Sequence, residues 1–255
     1  MTPSRLCPLL LLAALVGMPV VVHAQDPPAA PAPPPPPPPP PKVEGSGEFA
    51  FVNTTGNAQS TSIGLRGEVI YRPAPWLLKA RAGFVRLESD EALEAQSFAF
   101  LFRAERALTP RLSLFSEYNY LRDLFAGIEH KNLVSGGVSY KLVDTPRQKL
   151  VLDGGAGVSS EQRLVGDDVT AAVLLGGLGY IVKVSATAEV TDDVRYEQSL
   201  DNGGAWRLDN TLALVTKINT IFSLKVSNVV RYVNEPVEGF ETTDTITSVA
   251  LVAKF

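Results

Sequence analysis

The chain has 255 residues, 45% hydrophobic and 20% charged, with a formal net charge of −4. An acidic balance without a basic cluster argues against nucleic acid as a partner, since phosphate-binding surfaces depend on concentrated Lys and Arg. The single cysteine, Cys7, leaves no disulfide framework and no thiolate zinc site.

Residues 1–24 carry one positive charge at Arg5, an apolar run from Leu9 to Val22, and the small-x-small ending Val22-His23-Ala24. That order is the order of a secretory signal peptide. A membrane anchor is the competing reading, but the run falls short of the roughly 20 residues that a spanning helix needs, and Pro8 and Pro19 break it. A lipid-accepting cysteine would follow the apolar run, whereas Cys7 precedes it. The mature chain is therefore expected without cysteine and without a lipid anchor.

Residues 25–42 form a proline tract that lacks backbone donors and favours the extended polyproline helix. At about 3.1 Å per residue it makes a periplasmic spacer; a docking segment for a proline-binding module is the alternative.

Residues 43–255 alternate between apolar and polar side chains with period two, segment after segment. In 111–122 the even positions are Leu112, Leu114, Ser116, Tyr118 and Tyr120 against Arg111, Ser113, Glu117 and Asn119, with Phe115 as the exception. In 222–233 Phe222, Leu224, Val226, Val230 and Tyr232 oppose Ser223, Lys225, Ser227 and Arg231. Division by this pattern predicts about twelve strands, near 44–54, 59–72, 76–88, 96–107, 111–122, 131–142, 148–159, 169–181, 183–197, 205–218, 221–233 and 243–255. The connections alternate too. Tight turns at 73–75, 108–110, 143–147, near Val182 and at 219–220 take turns with longer polar loops at 88–95, 123–130, 160–168, 198–204 and 234–242. An all-β fold follows: a single antiparallel up-and-down transmembrane β-barrel with brief turns at one end and longer loops at the other.

A soluble barrel with apolar side chains inside has the same periodicity. Three features favour a membrane. A polar lumen accepts Arg66, Lys79, Arg81, Arg103, Glu117, Asp153, Glu189, Lys225 and Arg231 on one face while lipid takes the other. Aromatic residues gather at strand ends, as at Tyr71, Trp76, Tyr120, Tyr140, Tyr180, Trp206, Phe222 and Tyr232, where interfacial girdles place them. The chain also ends on Phe255, closing the alternation Val249, Leu251, Ala253. A terminal aromatic of this kind resembles the signal read by bacterial barrel-assembly machinery.

Three stretches carry a family resemblance: Gly47-Glu48-Phe49-Ala50-Phe51-Val52-Asn53-Thr54-Thr55-Gly56-Asn57; residues 118–140 with Leu121-Arg122-Asp123-Leu124-Phe125-Ala126-Gly127; and the ending from Arg231-Tyr232-Val233-Asn234-Glu235-Pro236 through Thr243-Asp244-Thr245 to Lys254-Phe255. Together they resemble the salt-induced outer-membrane protein family, domain of unknown function 481. The resemblance implies a barrel in the cell outer membrane, in contact with its lipid and lipopolysaccharide, and brings no substrate, cofactor or catalytic residue.

Chemistry is sparse. After the leader His130 is the remaining histidine, and Ser135, five residues on, falls on the opposite face of a strand. The pair cannot act as nucleophile and base, and no enzyme is expected. The long loops collect carboxylates, among them Glu161, Glu197, Glu235 and Asp244, which read as solvated charge, with divalent cations shared with lipopolysaccharide as the sharper alternative. Inward bases, including Lys141, Lys217 and Lys254, modestly outnumber inward acids such as Glu48, Glu68 and Glu105. An open lumen would then be a small channel for ions or small solutes with weak anion preference. Charges paired across the lumen would instead make a plugged, structural barrel.

Overall fold

The computed structural model describes residues 41–55, 60–87 and 96–255. The leader expected at 1–24 and nearly all of the proline tract lie outside the described residues.

Twelve strands account for most of the chain: β1 Val43–Thr55, β2 Ser60–Tyr71, β3 Trp76–Leu87, β4 Gln96–Ala107, β5 Leu112–Asp123, β6 Ile128–Asp144, β7 Gln148–Arg163, β8 Val169–Lys183, β9 Ala188–Ser199, β10 Trp206–Lys217, β11 Phe222–Val233 and β12 Thr243–Lys254. Each pairs antiparallel with its neighbours in sequence, and β12 pairs with β1, closing the barrel. Closure leaves no strand edge unsatisfied. Because the strand number is even, β1 begins and β12 ends at the same rim, where the tight turns also lie.

The tight turns are set locally by side chains that accept backbone hydrogen bonds. Thr109 Oγ1 accepts from Leu112 N at 2.9 Å, Thr145 Oγ1 from Gln148 N at 2.9 Å, Ser185 Oγ from Ala188 N at 3.0 Å, and Asn219 Oδ1 from Phe222 N at 2.7 Å. Each replaces a donor's lost ladder partner, which is why Ser, Thr and Asn mark these reversals.

The alternation decides the two faces. On β5 Leu114 is 46% exposed while Glu117 is 5% exposed, the reverse of a water-soluble barrel. The outer wall continues with exposed Phe49, Leu65, Val69, Phe102, Val134, Leu174, Leu212 and Leu251. The interior packs around Phe115, Leu133, Val173, Ala213, Ala250 and Val252. Among the described residues no helix is long and apolar enough to cross a membrane, a fact silent on strands.

Two strand boundaries differ from the sequence pattern by more than three residues. β7 runs to Arg163, not to 159, because Glu161 and Arg163 continue the ladder as an inward ion pair. A polar strand end above an apolar wall is indistinguishable from a loop in sequence. β9 begins at Ala188, not at 183, since Ser185 and Ala188 close a turn over 184–187.

The long-loop mouth is partly covered. The segment 234–242 folds back so that Val237 is buried, and the Phe240 ring abuts Gly127, where an added Cβ would lie 2.6 Å from a ring carbon. Gly127 has φ +72°, a conformation that favours glycine. Phe125 and Ile128, either side of it, are buried beneath.

Candidate functional site

The inward charges form connected groups. At the centre is Arg103 of β4. Its Nε donates to Glu105 Oε1 at 2.6 Å, and its Nη1 donates to Asp153 Oδ2 at 2.8 Å and to Glu117 Oε2 at 3.2 Å. The guanidinium carbon lies 4.0 Å from the centroid of the Phe115 ring, an arrangement that attracts through the ring quadrupole. Phe115 was the exception to the sequence pattern because it belongs inside, as the platform for this cation. Room for it comes from β6 and β7: a Cβ at Gly137 would lie 2.9 Å from the Phe115 ring and 2.2 Å from the Gly154 carbonyl oxygen.

Glu117 also receives Arg195, whose Nη1 donates to Oε1 at 2.8 Å. These residues stand on β5 and β9, four strands apart in the ring, so the pair crosses the interior. Toward the loops, Lys131 of β6 binds Glu197 of β9 at 2.8 Å, and Arg207 of β10 binds Glu161 of β7 at 2.5 Å. At the mouth Arg231 of β11 donates to Asp123 of β5. Those two strands stand opposite each other in the ring. The half of the interior bounded by β4–β10 is thus crossed by ion pairs.

The other wall differs. Lys225 of β11 binds Glu48 of β1 at 3.0 Å, and Arg81 of β3 binds Glu68 of β2 at 2.5 Å. Arg66 and Lys79, beside them, form no direct ion pair among the described residues; Arg66 is exposed and the Arg81 side chain is 40% exposed. Glu189 sits near the turn end of β9, in register with Lys183. Among the expected interior positions, Arg66, Lys79, Arg81 and Lys225 are therefore brought together on one wall, Arg103, Glu117 and Asp153 on another, and Arg231 at the mouth.

Sequence reasoning missed Asp123, Lys131, Arg195 and Arg207, and it assigned Glu161 and Glu197 to solvated loops. The structure corrects this: both glutamates are strand residues held by Arg207 and Lys131, so they are not available to a shared cation. A usable signal existed. With Glu189 facing inward, period two places Arg195 and Glu197 on the same face. No group of three or more His, Cys, Asp or Glu able to hold a metal occurs among the described residues.

His130 lies on the outer face, its Nδ1 2.8 Å from the Tyr120 hydroxyl, while Ser135 is buried on the inner face. Phe255 lies at the closing seam: its N donates to the Gly45 carbonyl at 3.0 Å, and Gly45 N donates back at 2.8 Å.

Comparison with known proteins bears on the fold. The model of a family described as "Protein of unknown function, DUF481" matches residues 47–255. No curated protein matches the chain. Among solved structures, the NanC porin is similar with a TM-score of 0.58 at 8% identity, covering 82% of this chain and 100% of that one. The COG4313 outer membrane channel from Pseudomonas putida F1 is similar with a TM-score of 0.50 at 10% identity, covering 84% of this chain and 95% of that one. At these identities the likeness is one of fold.

Proposed function

The chain belongs to the family of proteins of unknown function DUF481, a membership that names no activity, and we propose that it is an outer-membrane barrel forming a narrow channel with a weak preference for small anions. One observation carries the reading: among the described residues Arg66 and Lys79 form no direct ion pair, on an inner wall where Glu48 and Glu68 are already held by Lys225 and Arg81. Uncompensated fixed positive charge in a pore lowers the barrier for anions. The apolar outer wall suits lipid, because a closed sheet is the strand arrangement that satisfies its backbone there. Solved barrels of similar fold are named as a porin and an outer membrane channel. On this reading residues 1–24 direct export and are removed, residues 25–42 form a periplasmic spacer, Phe255 engages the barrel-assembly machinery, and lipopolysaccharide surrounds the loop end.

The test is conductance of the purified protein in a planar bilayer under two opposed salt gradients. A reversal potential favouring anions, lost in Arg66→Gln/Lys79→Gln, is the expected result; cation selectivity overturns it. The pairs Arg195–Glu117 and Arg231–Asp123 favour a second reading, a non-conducting barrel that stabilises the envelope or binds through its loops. A folded barrel that inserts and stays silent would support that one.

A further inference from the structure

We propose that the outer wall of β9–β12 is an intramembrane interface with a second copy of this chain, a proposal that rests on the membrane-spanning reading above. The outer positions of this wall are mostly apolar, with Val190, Val194, Leu208, Leu212, Leu214, Val226 and Val230 among them. A polar track crosses it. Asp192 on β9 accepts a hydrogen bond from Asn210 Nδ2 on β10 at 2.7 Å, and Asn228 Nδ2 on β11 donates to Thr247 Oγ1 on β12 at 3.0 Å. All four lie at least four residues inside their strands. Other outward charges, such as Arg86 and Arg106, sit one residue from the ends of theirs.

Their outward direction follows from register. Arg195 points inward to Glu117, so Asp192, three residues back, points outward. Asn210 pairs with Val194 and Asn228 pairs with Leu212, each an outward neighbour. A carboxylate and two amides at this depth have hydrogen-bonding capacity beyond their mutual contacts, and hydrocarbon cannot meet it. Lipid-facing polar positions of this kind are costly and call for a partner with donors and acceptors at the same height.

A second copy meets that requirement. Asn210 pairs with Val230 in register, and Asn228 lies two residues from Val230 on the same strand. The strand tilt of such barrels brings the two amides to nearly equal height. A two-fold axis along the membrane normal keeps height unchanged and sets Asn210 of one copy against Asn228 of the other, twice. Each amide both donates and accepts, so the surface is self-complementary, as an isologous contact requires.

The test is disulfide trapping in vesicles of phosphatidylcholine and phosphatidylglycerol, with the full chain carrying Cys7→Ser. Leu212→Cys lies between the two amides, and Leu114→Cys on β5 serves as a control on the wall opposite β11; both native side chains are exposed. Oxidation is expected to give several-fold more covalent dimer at position 212 than at 114. Adding Asn210→Leu and Asn228→Leu should reduce it to the control level without loss of the folded form. Equal trapping at both sites, or dimer that survives the double replacement, overturns the interface. Protein that floats with the vesicles as a monomer also overturns it while leaving the membrane reading intact. Protein that does not float overturns both.

Discussion

The Arg231 guanidinium and the Asp123 carboxylate meet from strands on opposite sides of the barrel, and Asp123 is 1% exposed there. Its second oxygen, Oδ1, has no side-chain partner among the described residues, so Arg231 is the cation that holds the buried charge. Removing one partner of a buried pair leaves an uncompensated charge, whereas replacing both by apolar groups costs far less. Arg231→Leu is expected to lower stability by about 3–5 kcal/mol in urea unfolding, with most of the loss recovered in Arg231→Leu/Asp123→Leu. A double variant no more stable than the single one would count against the pair as the unit that ties the mouth.

Gly45 and Phe255 set the seam. A Cβ at Gly45 would lie 2.3 Å from Phe255 Cε2, too close for any real contact. Gly45→Val must therefore displace the terminal ring, at a cost below the roughly 1–3 kcal/mol of overpacking a core, because Phe255 is 84% exposed and can move aside. Phe255→Ala in the same chain should restore closure. The readout is the fraction of folded, heat-modifiable barrel after refolding, and failure of the double variant to recover would show that the ring is not the obstacle.

Phe115 supports Arg103 from below while Gly137 makes space for it. Phe115→Ala removes a buried ring and its cation contact together, a loss of about 3–5 kcal/mol by analogy with other buried aromatics. It also opens the crowded half of the interior. Lower stability accompanied by higher single-channel conductance is expected; unchanged conductance in a folded variant would mean that the passage runs elsewhere.

Anion preference carried by Arg66 and Lys79 should fade with salt. The screening length falls from about 10 Å at 0.1 M to about 3 Å at 1 M ionic strength, below the width of a passage that admits hydrated ions. Reversal potentials at a fixed concentration ratio should thus approach the unselective value as both sides become more concentrated. Selectivity independent of salt would point to a steric filter.

The sequence by itself determined the strand count, the alternation of tight turns and longer loops, and the parity of each strand, because period two is a local property of an extended chain. Thr109, Thr145 and Asn219 fall where the expected turns reverse the chain, whereas Ser185, which closes the turn before β9, lies inside the strand expected at 183–197. The sequence did not determine where polar strand ends stop, as at Glu161 and Arg163, since above an apolar wall strand and loop have the same composition. The tertiary structure agrees with the outward apolar parity expected from the sequence, with Leu114 exposed and Glu117 buried. It alone decided which charges meet. Arg231 and Asp123 are 108 residues apart in the chain and become partners because closing twelve strands into a ring sets β11 opposite β5, a consequence of the closed circle that no local pattern contains.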